Sequence, residues 1–367
     1  MARRLTVVQL LPALESGGVE RSTLEIAQAL VDAGHQAIVV SAGGRLVPQL
    51  QALGARHVLL DIGRKSLLTF RHAAALRRLF AQQRVDIVHA RSRMPAWVAR
   101  LAMRGMAVPP HFVTTVHGLN SPSRYSAVMA SGERVVCVSE TVRQYVLRNY
   151  PRTPPARLQV IERGIDPATF PRAPRPDLEA RARIAADIPA LGGTGPLLLL
   201  PGRGTRLKGH ADAVRLLAGL RAGGIDARLW LAGARQPGRE RYIAELEADA
   251  ARLGIADALV ATAPTAAIAR AYAAADLVLQ LSRKPEAFGR TVLEALSVGR
   301  PVLGWAHGGV GELLARWQPD GEVAPFEEAL LLQRARQLLA APPAPVTMPD
   351  GLHAMQRATL ALYEQLA

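Results

Sequence analysis

Two carboxylates sit eight positions apart in the run Pro285-Glu286-Ala287-Phe288-Gly289-Arg290-Thr291-Val292-Leu293-Glu294-Ala295-Leu296. Each carboxylate can accept two hydroxyl hydrogen bonds, which suits a polyol such as ribose or a hexose. If residues 289–298 form a helix, Glu286 lies at its N-terminal mouth, where free N–H groups hold a negative group. A plainer alternative is an acidic residue at a helix start plus a surface glutamate. A second constellation is Gly202-Arg203-Gly204-Thr205-Arg206-Leu207-Lys208-Gly209. Arginine binds two oxygens in a plane and lysine acts as a point charge, so Arg203 and Lys208 at a helix mouth can clamp a diphosphate. Lysine is rare here, with Lys65, Lys208 and Lys284 the only three among 45 basic residues, so Lys208 says more than Arg203. A solvated basic loop is the alternative. The spacing does not fit a Walker loop.

Gly17 and Gly18 follow the first apolar run and precede a helix, where backbone can approach a ligand closely. On its own a structural turn is the plainer explanation of such a pair. His117, in Thr115-Val116-His117-Gly118, closes a strand. Arg91 and Arg93 end another, in Asp86-Ile87-Val88-His89-Ala90-Arg91-Ser92-Arg93, and suit an acidic or phosphorylated acceptor or a solvated loop. Residues 64–84 mix Arg64, Lys65, Arg71, Arg77, Arg78 and Arg84 with Leu67, Leu68, Phe70, Leu76, Leu79 and Phe80. That pattern fits a basic amphipathic helix on an anionic membrane surface, or one packing its apolar side on a sheet. Cys137 lies in an apolar run and reads as core.

The positioning elements alternate strand and helix, which argues for α/β architecture with parallel sheets covered on both faces. In the first half, strands are expected at Leu5–Leu11, Gln36–Ser41, Arg56–Leu60, Val85–Ala90, His111–Val116 and Arg134–Val138, with a helix over Val19–Ala33 after the loop at Glu15-Ser16-Gly17-Gly18. Tyr150–Pro176 is proline-rich, with Pro174 and Pro176 at its end, and reads as a connector. The rhythm restarts with strands at Leu197–Leu200, Ala227–Ala232, Ala258–Thr262, Leu277–Leu281 and Pro301–Trp305. An amphipathic helix over Leu352–Leu366 ends the chain. Two Rossmann-like domains follow, residues 1–168 and 169–349, with the helix in 350–367 packing back on the first.

The chain has 367 residues, 49% hydrophobic, 20% charged and 4% aromatic. High apolar content excludes a disordered protein, and a single cysteine excludes a disulfide scaffold. The net charge of +15 and pI of about 11.1 fit an anionic partner or codon usage that raises Arg and Ala together. No stretch reaches the ~20 apolar residues of a spanning helix. Residues Met1-Ala2-Arg3-Arg4-Leu5 are basic, but no cleavable leader follows. A cytoplasmic location is expected, on the inner face of the membrane if the basic segment binds lipid.

Four pieces occur in order: Gly17-Gly18, the Gly202-Arg203 to Lys208-Gly209 loop, the Glu286/Glu294 pair and Gly308-Gly309-Val310-Gly311-Glu312. Together they resemble the retaining, nucleotide-sugar-dependent glycosyltransferases of family 4, with the GT-B fold of two Rossmann-like domains facing across a cleft. That resemblance implies a first domain for the acceptor and a second for the donor. Arg203 and Lys208 would hold the donor diphosphate, with Gly202 in the same loop. Glu294 would bind ribose. Glu286 with the backbone of Ala287, Phe288 and Gly289 would meet the donor sugar, as would His117. Gly17 and Gly18 would approach the phosphates. Two cations plus helix N-termini would stabilise the leaving group without metal or other cofactor, in keeping with the lack of any Asp-x-Asp triplet. The acceptor would be a glycan or glycolipid in lipopolysaccharide or surface-polysaccharide synthesis. Glu162-Arg163-Gly164 departs from the Pro-Asn-Gly common in the family, and Arg316 to Asp320 replaces a short glycine turn. Two rival readings are a GT-B nucleotide-sugar epimerase and a nucleic-acid-binding protein. Sparse aromatics disfavour the second, so no nucleic-acid partner is expected.

Overall fold

A computed structural model describes residues 3–15, 17–173 and 177–367. The readings that fell on Met1, Ala2, Ser16, Pro174 and Pro176 lie outside the described residues. The chain divides into two compact units, Met1–Gly164 with Gly351–Ala367, and Ile165–Asp350. Sequence had set the boundaries at 168 and 349.

The first unit runs β1 (Thr6–Leu10), α1 (Gly18–Asp32), β2 (Gln36–Ser41), α2 (Val47–Ala52), β3 (Arg56–Leu59), α3 (Ala73–Gln82), β4 (Ile87–Ala90), α4 (Arg93–Met103), β5 (His111–Val116), β6 (Arg134–Cys137), α5 (Glu140–Asn149) and β7 (Leu158–Val160). All pairings are parallel, in the order β3-β2-β1-β4-β5-β6-β7. Central strands read as unbroken apolar runs because helices cover both faces. Val7, Val8, Ile38, Val39, Ile87 and Val88 are fully buried, and so is Cys137.

The second unit runs α6 (Leu178–Asp187), β8 (Leu197–Leu199), α7 (His210–Ala222), β9 (Arg228–Leu231), α8 (Glu240–Arg252), β10 (Leu259–Ala261), α9 (Ile268–Ala274), β11 (Leu277–Gln280), α10 (Arg290–Val298), β12 (Val302–Trp305), α11 (Gly308–Trp317), β13 (Glu322–Val323) and α12 (Glu328–Ala340). Its parallel order is β10-β9-β8-β11-β12-β13. The last helix, α13 (Gly351–Glu364), belongs to the first unit. There Met355, Leu362 and Tyr363 join the core formed by Val7, Leu30 and Val39, and the Gln356 side chain donates to Glu25 O on α1 at 2.8 Å.

Two sequence expectations change. The proline-rich connector contains β7, because Leu158 and Val160 pair with β6 while the prolines bracket them. Residues 64–84 are not one helix. A 3-10 segment, Leu67–His72, precedes α3, and Leu76 and Phe80 are buried while Leu67 and Leu68 are exposed. Arg77 turns inward, donating to Ala102 O at 2.8 Å and Arg104 O at 2.9 Å at the end of α4. No helix among the described residues is long and apolar enough to cross a membrane.

Candidate active site

In open parallel sheets, ligands bind beyond the strand carboxyl ends, where the strand order reverses. In the second unit that switch point lies between β8 and β11, which pair through Leu198–Leu277 and Leu199–Val278. The loops leaving these strands carry the sequence-predicted residues. Gly202-Arg203 to Gly209 follows β8, and Ser282 to Gly289 follows β11.

The two loops are stitched together. Arg283 N donates to Leu207 O at 2.8 Å. Gly209 opens α7 in the left-handed conformation (φ 73°), and a Cβ there would lie 1.9 Å from Leu281 O, so only glycine fits. This register brings Lys208 Nζ to 2.5 Å from Glu286 Oε1. Both side chains remain about a quarter exposed (26% and 25%), so the pair is open to a ligand. Ser282 Oγ donates to the same Glu286 oxygen, and Gln280 Nε2 lies 3.4 Å from the other. Burial pushes the Glu286 carboxyl up, but the Lys208 charge, with hydrogen bonds from Lys208 and Ser282, holds it below its ordinary value. Arg203, on the first loop, is exposed.

Three helix N-termini close around this loop pair. Gly289 (φ 112°) caps α10, so Glu286 does sit at the mouth of a helix spanning Arg290–Val298. The glycines of Gly308-Gly309-Val310-Gly311 start α11. Gly309 N donates to Glu286 O at 2.8 Å, and a Cβ on Gly309 would lie 2.3 Å from Phe288 O. Those glycines therefore let α11 approach the Glu286 loop at backbone contact. Behind the first loop, His210 on α7 is fully buried and donates to Thr205 O at 3.2 Å. Burial lowers its pKa to about 4, the Thr205 carbonyl opposing and the Lys208 charge assisting.

Glu294 is not the surface glutamate of the plain alternative. It is 8% exposed on α10, accepting from Tyr272 Oη at 2.8 Å and Arg290 Nε at 3.1 Å. Phe288 is buried too, so its side chain packs in the core and its backbone is what the loop offers. Ala287 is partly exposed. Sequence reasoning missed Ser282, Gln280, His307 and Tyr272. His307 Nε2 donates to Ser282 O at 2.7 Å and so props the loop. Only the sheet pairing places these residues beside Glu286 and Glu294; their types alone carried no signal.

The first unit holds the remaining predicted residues beyond the carboxyl ends of β1, β4 and β5, the order reversing between β1 and β4. Gly17 (φ 149°) caps α1 and Gly18 begins it, both exposed. His117 follows β5, partly exposed. Arg93 donates to Ser126 Oγ at 3.2 Å and lies over the Tyr125 ring at 5.2 Å, so it is engaged rather than solvated. Arg91 is corrected outright. It is 2% exposed, donating to Gln9 Oε1 at 2.8 Å and Ser22 Oγ at 2.9 Å, and is a buried brace between β1, β4 and α1.

Two family profiles match the chain: Glycosyltransferase Family 4 over residues 16–169, and Glycosyl transferases group 1 over residues 185–348. The chain is 29% identical over 251 residues to a D-inositol 3-phosphate glycosyltransferase of Acidothermus cellulolyticus, a match covering 61% of this chain and 53% of the relative. The chain thus spans about half the length of that relative. A glycosyltransferase structure from Rickettsia africae superposes with a TM-score of 0.86 at 26% identity, covering 99% and 98% of the two chains. Anabaena HepE, solved with UDP and glucose, superposes at 0.78 and 18% identity over 99% and 98%.

Proposed function

Because the chain belongs to the GT-B glycosyltransferases, with a family 4 domain followed by a group 1 domain, we propose that it moves a hexose from a nucleotide sugar to an acceptor. The observation that carries this is the meeting of Lys208 and Glu286 between the β8 and β11 loops, ringed by the N-termini of α7, α10 and α11. A diphosphate takes Lys208, Arg203 and the free N–H groups of those helices. The sugar hydroxyls take Glu286 and the backbone of Ala287 to Gly289, and ribose takes Glu294 by exchange with its present partners. UDP is the favoured nucleotide, as HepE was solved with it; GDP and ADP are the alternatives.

Charge builds on the diphosphate as the glycosidic bond breaks. Fixed cations and helix dipoles stabilise that charge without reorganising. This supports a metal-independent reaction that retains the anomeric configuration, with the leaving phosphate oxygen taking the acceptor proton. Gly17, Gly18 and His117 are assigned to donor contacts of the first unit. For the acceptor we propose a lipid-linked glycan, as in lipopolysaccharide or surface-polysaccharide synthesis. Exposed Leu67 and Leu68 among the exposed cations Arg64, Lys65 and Arg71 support a peripheral, cytoplasmic-face location. A soluble inositol phosphate is the second acceptor reading, favoured by the Acidothermus relative's name.

The test is proton NMR of the first-formed product with each acceptor class, with and without EDTA. Transfer in EDTA with the donor's anomeric configuration kept supports the proposal. Inversion, or loss of transfer that a divalent ion restores, overturns the corresponding part.

A further inference from the structure

Phe326, in the loop between β13 and α12, is one of two non-glycine residues with positive φ among the described residues. The other, Arg84, follows α3 on the surface. Phe326 sits at φ 72°, a left-handed conformation that disfavours a bulky side chain. It is 46% exposed, so burial alone does not hold it there. Strained backbone persists where its surroundings over-determine it, and such residues cluster at functional sites.

The ring wedges against the loop that leaves β11. The Arg283 guanidinium lies over it, 4.7 Å from the centroid. The His307 ring meets it edge-on at 6.2 Å, and Trp305 backs it from the core at 5.9 Å. Arg283 belongs to that loop. Its Nη1 donates to both oxygens of Asp212 on α7, at 2.6 and 2.8 Å, while its backbone N–H donates to Leu207 O. His307, at the start of α11, donates from Nε2 to Ser282 O at 2.7 Å. The Ser282–Arg283 peptide is thus gripped at both ends, and Ser282 Oγ is a donor to Glu286 Oε1. We propose that Phe326 is a positioning residue: its ring, held on a strained backbone, sets Arg283 and His307 and through Ser282 aims the Glu286 carboxylate. That this carboxylate receives a sugar hydroxyl rests on the function proposed above; its placement by Phe326 does not.

The same contacts bear on the charge of Glu286. Burial raises its carboxyl, and Lys208, the Ser282 hydroxyl and His307 together bring it below its ordinary value. Ser282 and His307 depend on the wedge. Lys208 reaches Glu286 from the β8 loop, by a separate route. Loss of the Phe326 ring therefore touches the carboxylate without removing the cation assigned to the diphosphate.

The experiment reads Glu286 directly, by carbon-13 NMR of the full chain labelled at glutamate Cδ, with Glu286 assigned from the spectrum of Glu286→Gln. Phe326→Gly frees the backbone and Phe326→Leu keeps the strain, so an effect shared by both belongs to the ring. Both are expected to raise the Glu286 titration midpoint by about half a unit or more. Phe326→Tyr is expected to keep the wild-type midpoint. Calorimetric titration with UDP and with UDP-glucose is the second arm. Both ring-less variants are expected to keep UDP affinity within about twofold and to weaken UDP-glucose by about tenfold or more, the worth of a hydrogen bond to a charged group. A wild-type midpoint in both variants, UDP and UDP-glucose weakened alike, or a Phe326→Tyr chain that behaves like Phe326→Leu overturns the proposal. If Phe326→Gly does not fold, the leucine and tyrosine variants decide. If the wild type binds neither ligand, the donor reading fails, and the carboxyl midpoints still decide whether Phe326 places Glu286.

Discussion

Lys208→Met separates two roles that one side chain is assigned here. The first is structural, because the residue neutralises Glu286 across 2.5 Å. Exposed ion pairs contribute ~0–1 kcal/mol, and breaking a buried pair costs ~3–5 kcal/mol. With both side chains about a quarter exposed, the expected cost is about 2 kcal/mol. For a domain of this size that lowers the melting temperature by roughly 4–8 °C. The second role is binding. A charged hydrogen bond to phosphate is worth ~1.5–3 kcal/mol, or roughly 10- to 150-fold in affinity. A double-mutant cycle with Glu286→Gln distinguishes them. Urea unfolding is expected to show strong coupling, since Glu286→Gln removes the uncompensated charge and recovers most of the stability lost in Lys208→Met. Calorimetric titration with nucleoside diphosphate is expected to show little coupling, with the Lys208→Met loss persisting in the double variant. A double variant that binds as well as Glu286→Gln alone refutes the diphosphate role and leaves Lys208 as a partner for Glu286 only.

Acid should destabilise the second unit through His210. Its folded pKa of about 4 lies below the unfolded 6.5, so the unfolded chain binds the extra proton between those values and stability falls as pH drops from about 6.5 to about 4. Urea midpoints across that range should show the slope, and His210→Leu should flatten it. Gly209→Ala forces a left-handed alanine against Leu281 O, costing at least ~1–2 kcal/mol before the clash; a thermal melt and nucleotide titration should show both stability and binding reduced. Tyr363→Phe removes the hydroxyl on buried His89 and should cost ~1–3 kcal/mol, read as a lower urea midpoint with the melt still cooperative.

The sheets were legible because parallel buried strands print continuous apolar runs, as at Leu277–Leu281, and because Gly17, Gly209 and Gly289 punctuate strand and helix. What escaped was short or depended on pairing. β7 is three residues among prolines and β13 is two, too brief to print a period. Arg91 read as a loop cation because a strand end gives no sign of whether the side chain turns inward. The packing of Ser22, Gln9 and Arg91 settles that, and it is long-range. The segment over 64–84 read as one helix from its spacing, yet Ser66 caps a 3-10 turn and Arg77 is taken up by the end of α4. Lys208 and Glu286 were each visible by type. Their contact was not, because 78 residues separate them.

The most direct test of the central claim is a thermal-shift and calorimetric panel of UDP, GDP, ADP, CMP and their sugars, with and without EDTA, on the full chain. A ligand that binds only the folded state must raise its apparent stability. The account predicts a shift with one nucleoside diphosphate and its sugar, unchanged by EDTA and lost in Lys208→Met and in Glu294→Gln. A nucleotide shift that survives both substitutions, or one that requires a divalent ion, would contradict the site described between β8 and β11.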